Sequence, residues 1–442
     1  MKRYDKYKHT GTPWIGNIPS HWKSKRLRFV CEFRNGYTPS KANPDFWTDG
    51  TIPWYRMEDI RDSGRHLKEA KQYVTEDAVK GGGLFDAGSF ILATTATIGE
   101  HAVLIVDSLA NQRFTNLKIL KSLNAVVDNE FFFYFLYVID DYCKSTTKTA
   151  TFAAVNIDDL KNFEVAIPPL QEQHRIVNYI NNAISTYDAV ISTQERRIAL
   201  FEELKQSVIT EAVTHGIDPS APLRPSGIDW IGSIPQHWEV KPLKRLCIMN
   251  KGITFTKADI VEEGEPVISY GQIHSKVNDK VSINDGLIRY VPDSFVKQSV
   301  NSAVSEGDFI FADTSEDYEG SGNCVYVDKP LKIYGGYHTI VLKMKPKQNK
   351  YLAYLFTTDN WRSQIRSRVS GVKVFSITQQ ILSLTTVILP PLSEQQEIVA
   401  YIESKIKPID ASIAKAKREI ELLKELKQSV ITEAVTGKIK VY

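Results

Sequence analysis

Between Gln171 and Thr214 apolar residues recur at alternating three- and four-residue spacings, at Val177, Ile180, Ile184, Tyr187, Ile191, Ile198, Phe201 and Val208, with polar Gln194 and Lys205 completing the stripe. Neither Gly nor Pro interrupts the stretch. A seam of that period kept up over several heptads predicts one long coiled-coil helix. At about 1.5 Å per residue, roughly 43 residues make a rod on the order of 65 Å. The pattern returns at Val399, Ile402, Ile406, Ile409, Ile413, Ala416, Ile420, Leu423, Lys427 and Val430, where only Lys427 is polar. Gly216 and Gly437 follow as C-terminal stops. Pro408 stands in the second stripe where Thr186 stands in the first, and its missing N–H predicts a kink or a break near Lys407.

Outside the stripes the pattern changes. Residues 32–166 and 248–388 alternate short β-branched and aromatic runs with turn signals, then give helical stretches at Asn129 to Lys144 and Gln348 to Ser367. Short strands followed by helices predict a small α+β domain in each half. His215 to Gly227 carries Pro219, Pro222 and Pro225 and reads as an extended connector.

The stripes belong to a larger repeat. Glu203 to Thr214 returns unchanged as Glu425 to Thr436, and Ile167-Pro-Pro-Leu-Gln-Glu-Gln173 returns as Leu389-Pro-Pro-Leu-Ser-Glu-Gln395, both at an offset of 222 residues. Trp14-Ile-Gly-Asn-Ile-Pro-Ser-His-Trp22 matches Trp230 to Trp238 at an offset of 216. The blocks between barely resemble each other, so the similar blocks do one job twice and the variable blocks do two different jobs. Each seam needs a partner, and the other copy supplies it if the halves are related by a pseudo-two-fold axis. The expected fold is α+β: two small α/β domains joined by two long helices packed as an antiparallel coiled coil, around a pseudo-two-fold internal repeat. The expected boundaries are 1–167 for the first domain, 168–216 for its helix, 217–228 for a linker, 229–389 for the second domain and 390–442 for the second helix.

Composition narrows the function. A chain of 442 residues is long for one core. Cys31, Cys143, Cys247 and Cys324 lie far apart, so neither a zinc site nor a disulfide framework is indicated, and a reducing cytoplasm is expected. The N-terminal residues lack an apolar core of signal-peptide length, and Phe131 to Ile139 is too short to span a bilayer. A net charge of +3 is far from strongly basic, so affinity for nucleic acid must come from local patches or from a partner chain.

Two such patches precede the Pro-Pro lead-ins. Lys144 to Ala150, with Lys144 and Lys148, and the segment Arg362 to Lys373, with Arg362, Arg366, Arg368 and Lys373, set hydroxyls beside cations as phosphate contacts require. For base edges the candidates are Tyr55, Arg56, Gln112 and Arg113 in the first half and Tyr270, Gln272, His274, Tyr337 and His338 in the second.

The order of variable block, Pro-Pro-Leu-x-Glu-Gln, long helix and Ser-Val-Ile-Thr-Glu-Ala-Val-Thr, repeated, with Trp-Ile-Gly-x-Ile-Pro-x-His-Trp before each variable block, resembles the specificity subunit of type I restriction-modification systems. The resemblance covers essentially the whole chain. It implies that Glu32 to Ala166 and Ile248 to Ile388 are target recognition domains, each reading one half of an asymmetric, interrupted site in double-stranded DNA. It implies that the helices set the unread gap and dock two methyltransferase subunits, with restriction/translocase subunits joining for cleavage. S-adenosylmethionine, ATP and Mg²⁺ then belong to those partners, and this chain is a non-catalytic subunit without a cofactor of its own. Glu172, Gln173, Glu394 and Gln395 match the lead-in motif and read as helix-start residues.

Enzyme patterns are thin. Asn43-Pro-Asp-Phe46 lacks the second proline of an adenine methyltransferase loop, and Pro44-Asp45 with Glu69-Ala-Lys71 only loosely fits a metal-dependent nuclease. No phosphate-binding Gly-x-x-x-x-Gly-Lys-Ser/Thr occurs. The remaining alternative is a bivalent coiled-coil scaffold that binds proteins through the variable blocks.

Overall fold

A computed structural model, describing residues 2–147, 154–228, 230–297, 299–371 and 373–441, shows both stripes as single helices, Leu170–His215 and Leu392–Val435. In each, all ten seam positions are buried or half-buried, while most residues between them are exposed. The lead-in glutamine ties the start of each helix back to the Pro-Pro segment before it. Gln173 Nε2 donates to the Pro168 carbonyl at 2.8 Å, and Gln395 Nε2 to the Pro390 carbonyl at 2.9 Å. At the far ends Gly216 and Gly437 take left-handed conformations, φ 82° and 70°, that favour glycine.

The expected break at Pro408 does not occur, because the second helix runs through it. Pro408 and Ser404 are both exposed, so the carbonyl that loses its intrahelical donor stays open to water.

The chain divides into two compact units, Met1–Gln194 with Arg418–Tyr442, and Glu195–Lys417. Each unit holds one sheet domain and a stretch of both long helices, running antiparallel. In the first, Lys427 Nζ lies 2.8 Å from Asp188 Oδ1 and Gln194 Nε2 lies 2.9 Å from Glu419 Oε2. In the second, Lys205 Nζ lies 2.7 Å from Asp410 Oδ1. Asp188 and Asp410, like Lys205 and Lys427, are equivalent under the 222-residue offset, so the two ion pairs are one contact made twice. Half-exposed pairs of this kind contribute about 0–1 kcal/mol, whereas burying Ile180 or Ile402 contributes about 2 kcal/mol or more. The apolar seam therefore dominates the pairing.

In the first unit a five-stranded sheet orders its strands 31–35, 114–119, 90–93, 101–104 and 66–67, beside a three-stranded sheet of 109–110, 52–55 and 73–74. The helix Asn129–Thr146, capped by the Asp128 side chain, buries Phe131, Phe132 and Phe135 in the same core as Phe90 and Leu117. In the second unit the corresponding sheets order 247–251, 339–344, 309–312, 324–326 and 289–291, 265–268, 333–335, 303–304. Phe309, Phe311, Phe356 and Trp361 centre its core. The connector is more structured than its prolines suggest: Leu223–Pro225 pairs antiparallel with Ser233–Pro235, as Tyr7–His9 pairs with Asn17–Pro19. Among the described residues no helix is long and apolar enough to cross a membrane.

Candidate nucleic-acid interface

Under their unlike sequences the two variable blocks share one backbone frame. In the first, strand Ile52–Tyr55 pairs parallel with Leu109–Ala110, and the chain leaving each strand forms a corner. There Asn111 N–H donates to the Tyr55 carbonyl at 3.0 Å, Thr94 N–H to the Arg113 carbonyl at 2.9 Å, and Gly36 N–H to the Phe114 carbonyl at 2.8 Å. In the second block the parallel pair is Val267–Ile268 with Tyr334–Gly335. The matching bonds run from Gly336 to Ile268 at 2.7 Å, from Asp313 to His338 at 3.1 Å and from Gly252 to Thr339 at 2.9 Å. Gly36 and Gly252 are required by the close approach, since a Cβ would fall 2.1 Å from the Asn111 carbonyl oxygen and 2.0 Å from that of Gly336. Residues 55–57 with 111–113 thus correspond to 268–270 with 336–338.

The first corner opens as a cleft of about 500 Å³ whose lining includes Lys41, Arg56, Arg61, Gln112 and Arg113. Arg56 is paired with Glu58, and the Gln112 side-chain carbonyl accepts from the Thr38 hydroxyl. Lys41, Arg61 and Arg113 are exposed and make no ion pair among the described residues. Lys41 stands alone in its segment and Arg61 lies among the acidic Glu58, Asp59 and Asp62, so neither reads as part of a basic patch in the sequence. Tyr55 is a correction: its ring is fully buried in an apolar cluster with Phe85 and Phe114, and burial pushes its phenol pKa up, so it carries the frame instead of facing the cleft.

The second corner is aromatic. The Tyr270 ring meets Tyr337 at 5.7 Å and His338 at 5.5 Å between centroids, both edge-on. His338 is exposed, with φ at 55°, and its Nδ1 lies 3.2 Å from Asp313 Oδ1. Gln272 and His274 are half-buried and bonded within the domain. Gln272 Oε1 accepts from Ser269 N–H at 3.2 Å, and both His274 ring nitrogens are occupied, by the Thr314 carbonyl at 2.9 Å and the Asn323 amide at 3.1 Å.

The basic segments divide similarly. Arg362 is buried and donates to the Ser321 carbonyl, the Glu319 carbonyl and Asn323 Oδ1; burial, with Arg366 nearby, lowers its pKa to about 10. It clamps the 319–323 loop, which replaces the expected phosphate contact. Arg366 is largely covered, bonded to Asp359 at 2.9 Å and to the Glu319 carbonyl at 2.7 Å. Lys144, Arg368 and Lys373 are exposed, and Lys148 lies outside the described residues. Of the nuclease pattern, Lys71 Nζ lies 2.5 Å from Asp62. Among the described residues no three His, Cys, Asp or Glu side chains converge as metal ligands do.

Comparison with known proteins agrees with this architecture. The model of the type I restriction modification DNA specificity domain matches residues 19–199 and 235–422. The MjaVIII specificity subunit of Methanocaldococcus jannaschii is 22% identical over 432 residues, 96% of this chain and 94% of the relative. The EcoprrI specificity subunit of Escherichia coli is 45% identical over 142 residues, a match spanning 32% of this chain and 35% of the relative. Among solved structures, a chain from work on complex assembly and conformational transition of the type I R-M system superposes with a TM-score of 0.65 at 18% identity, covering 96% of this chain and 99% of that one, a likeness of fold.

Proposed function

The chain belongs to the family of type I restriction-modification DNA specificity subunits, the non-catalytic part of such complexes, and from that premise we propose that each half reads one part of an asymmetric, interrupted site in double-stranded DNA. Residues 1–167 and 229–389 are the recognition domains. Helical segments 168–216 and 390–442, with the 217–228 connector, set the unread gap and dock two methyltransferase subunits, which restriction/translocase subunits join. S-adenosylmethionine, ATP and Mg²⁺ serve those partners.

One observation carries this reading: the same pair of backbone corners displays cations and amides in the first domain, Arg56, Gln112 and Arg113, and aromatic and imidazole groups in the second, Tyr270, Tyr337 and His338. One frame with two side-chain sets suits two different half-sites. Lys144, Lys148, Arg368 and Lys373 supply phosphate contacts.

The test is a DNA titration of the complex with its methyltransferase across salt concentrations. A DNA reader binds a subset of sequences selectively and loses affinity steeply as salt rises. Salt-independent, sequence-blind binding would favour the protein scaffold instead.

A further inference from the structure

Resting on that reading, we propose that the paired corners are the base-reading points, with Arg113 and His338 as counterpart specificity-determining residues, and that the first half-site contains a guanine read by Arg113.

The backbone around Arg113 is held on both sides. Its N–H donates to Asn111 Oδ1 at 2.9 Å and its carbonyl accepts from Thr94 at 2.9 Å. A fixed main chain thus carries an exposed guanidinium with no ion-pair partner among the described residues. Arg56, the other guanidinium near the centre of the corner, is neutralised by Glu58. Two parallel N–H donors in a rigid fork match the O6 and N7 acceptors of guanine in the major groove. Lys41 and Arg61, on the flanking segments of the same cleft, are placed to hold the adjoining phosphates.

His338 occupies the equivalent position in the second frame, its carbonyl held by Asp313 N–H as that of Arg113 is held by Thr94. It sits in the left-handed region, which a non-glycine residue adopts only where the surroundings enforce it, often at a functional site. The contact of Nδ1 with Asp313 fixes the ring, and the side chain is 58% exposed. The two corners therefore offer unlike edges at one register.

The experiment is a methylation-motif map of cells expressing the methyltransferase with the wild-type chain, with Arg113→Ala or with His338→Ala. Both side chains are exposed, so neither truncation removes core packing. The proposal predicts that Arg113→Ala loses discrimination at one G·C pair of one half-site by about tenfold to a hundredfold. His338→Ala relaxes only the other half-site. A wild-type motif that both variants leave unchanged, or a uniform weakening without change of preferred base, overturns the proposal while leaving the chain a DNA reader. Loss of any motif in the wild type overturns the reading beneath it.

Discussion

The indole Nε1 of Trp22 donates to Glu172 Oε1 at 3.0 Å, joining the motif that opens the first half to the motif that starts its long helix. Tyr4 Oη at 2.5 Å and His21 Nε2 at 2.8 Å converge on the same carboxylate. In the second half Trp238 and His237 meet Glu394 at 3.0 and 2.6 Å. Each helix end also returns to an opening motif within its own compact unit, Gly437 against Trp22 and Gly216 against Trp238. The repeated motifs are thus partners in one joint, built twice.

That joint is unequal in the two halves. The Glu172 side chain is 6% exposed and Glu394 22% exposed. Glu172→Ala strands the buried Trp22 and Tyr4 donors and is expected to destabilise the first unit by about 3 kcal/mol. Glu394→Ala removes fewer donors at a wetter site and should destabilise the second by about half as much. Denaturant midpoints of the two variants measure the difference; equal shifts would show that burial does not set the strength of the joint.

Acid should loosen the first domain. Asp140 Oδ2 bonds His101 Nδ1 at 2.7 Å and Arg65 at 2.8 Å, all at the junction of strand 101–104 with helix 129–146. Burial opposes charge on Asp140, but His101 and Arg65 together outweigh it and hold its pKa below the usual carboxylate range. Burial holds His101 below its ordinary value, against the pull of Asp140. The unfolded chain takes up this proton at a higher pH, about 6.5, than the native one does, so stability falls as pH drops below that value. Asp140 adds a further loss at still lower pH, as its native carboxylate is protonated. Melting curves at pH 7 and pH 5 should show the decline, and His101→Gln should flatten its upper part; an unchanged slope would contradict the assignment.

Arg362 and Lys373 should part company. Arg362→Ala frees the 319 and 321 carbonyls and opens a buried site, so the second unit loses about 2–4 kcal/mol and DNA binding falls with it. Lys373→Ala leaves stability alone, weakens binding across all sequences and lowers the salt slope by about one. Calorimetry beside binding isotherms separates the two effects.

The helices should act as a ruler. Inserting one turn within 185–200 and its match within 407–422 keeps the Asp188–Lys427 and Lys205–Asp410 contacts while adding about 6 Å of helix. The unread gap should lengthen by one or two base pairs, with both half-sites unaltered. A changed half-site in the methylated motif would refute the ruler.

The seams were legible in the sequence because a heptad stripe is local and periodic, and every position predicted for it is covered. Pro408 misled because the sequence does not reveal that Ser404 remains open to water. The variable blocks were legible only as strand-rich domains. Their common frame rests on backbone hydrogen bonds, such as Asn111 to Tyr55 and Gly336 to Ile268, which leave no shared side-chain string. For the same reason Arg362 looked like surface chemistry: a cation in a polar run does not announce that its donors are used by loop carbonyls.

The central claim is that this chain brings sequence selectivity to a methyltransferase. The most direct test is a genome-wide adenine-methylation map of a methylation-free host expressing the methyltransferase with this chain, compared with the methyltransferase alone. An interrupted, asymmetric motif that appears only with the chain is the predicted result; a stable complex that methylates no new motif would contradict it.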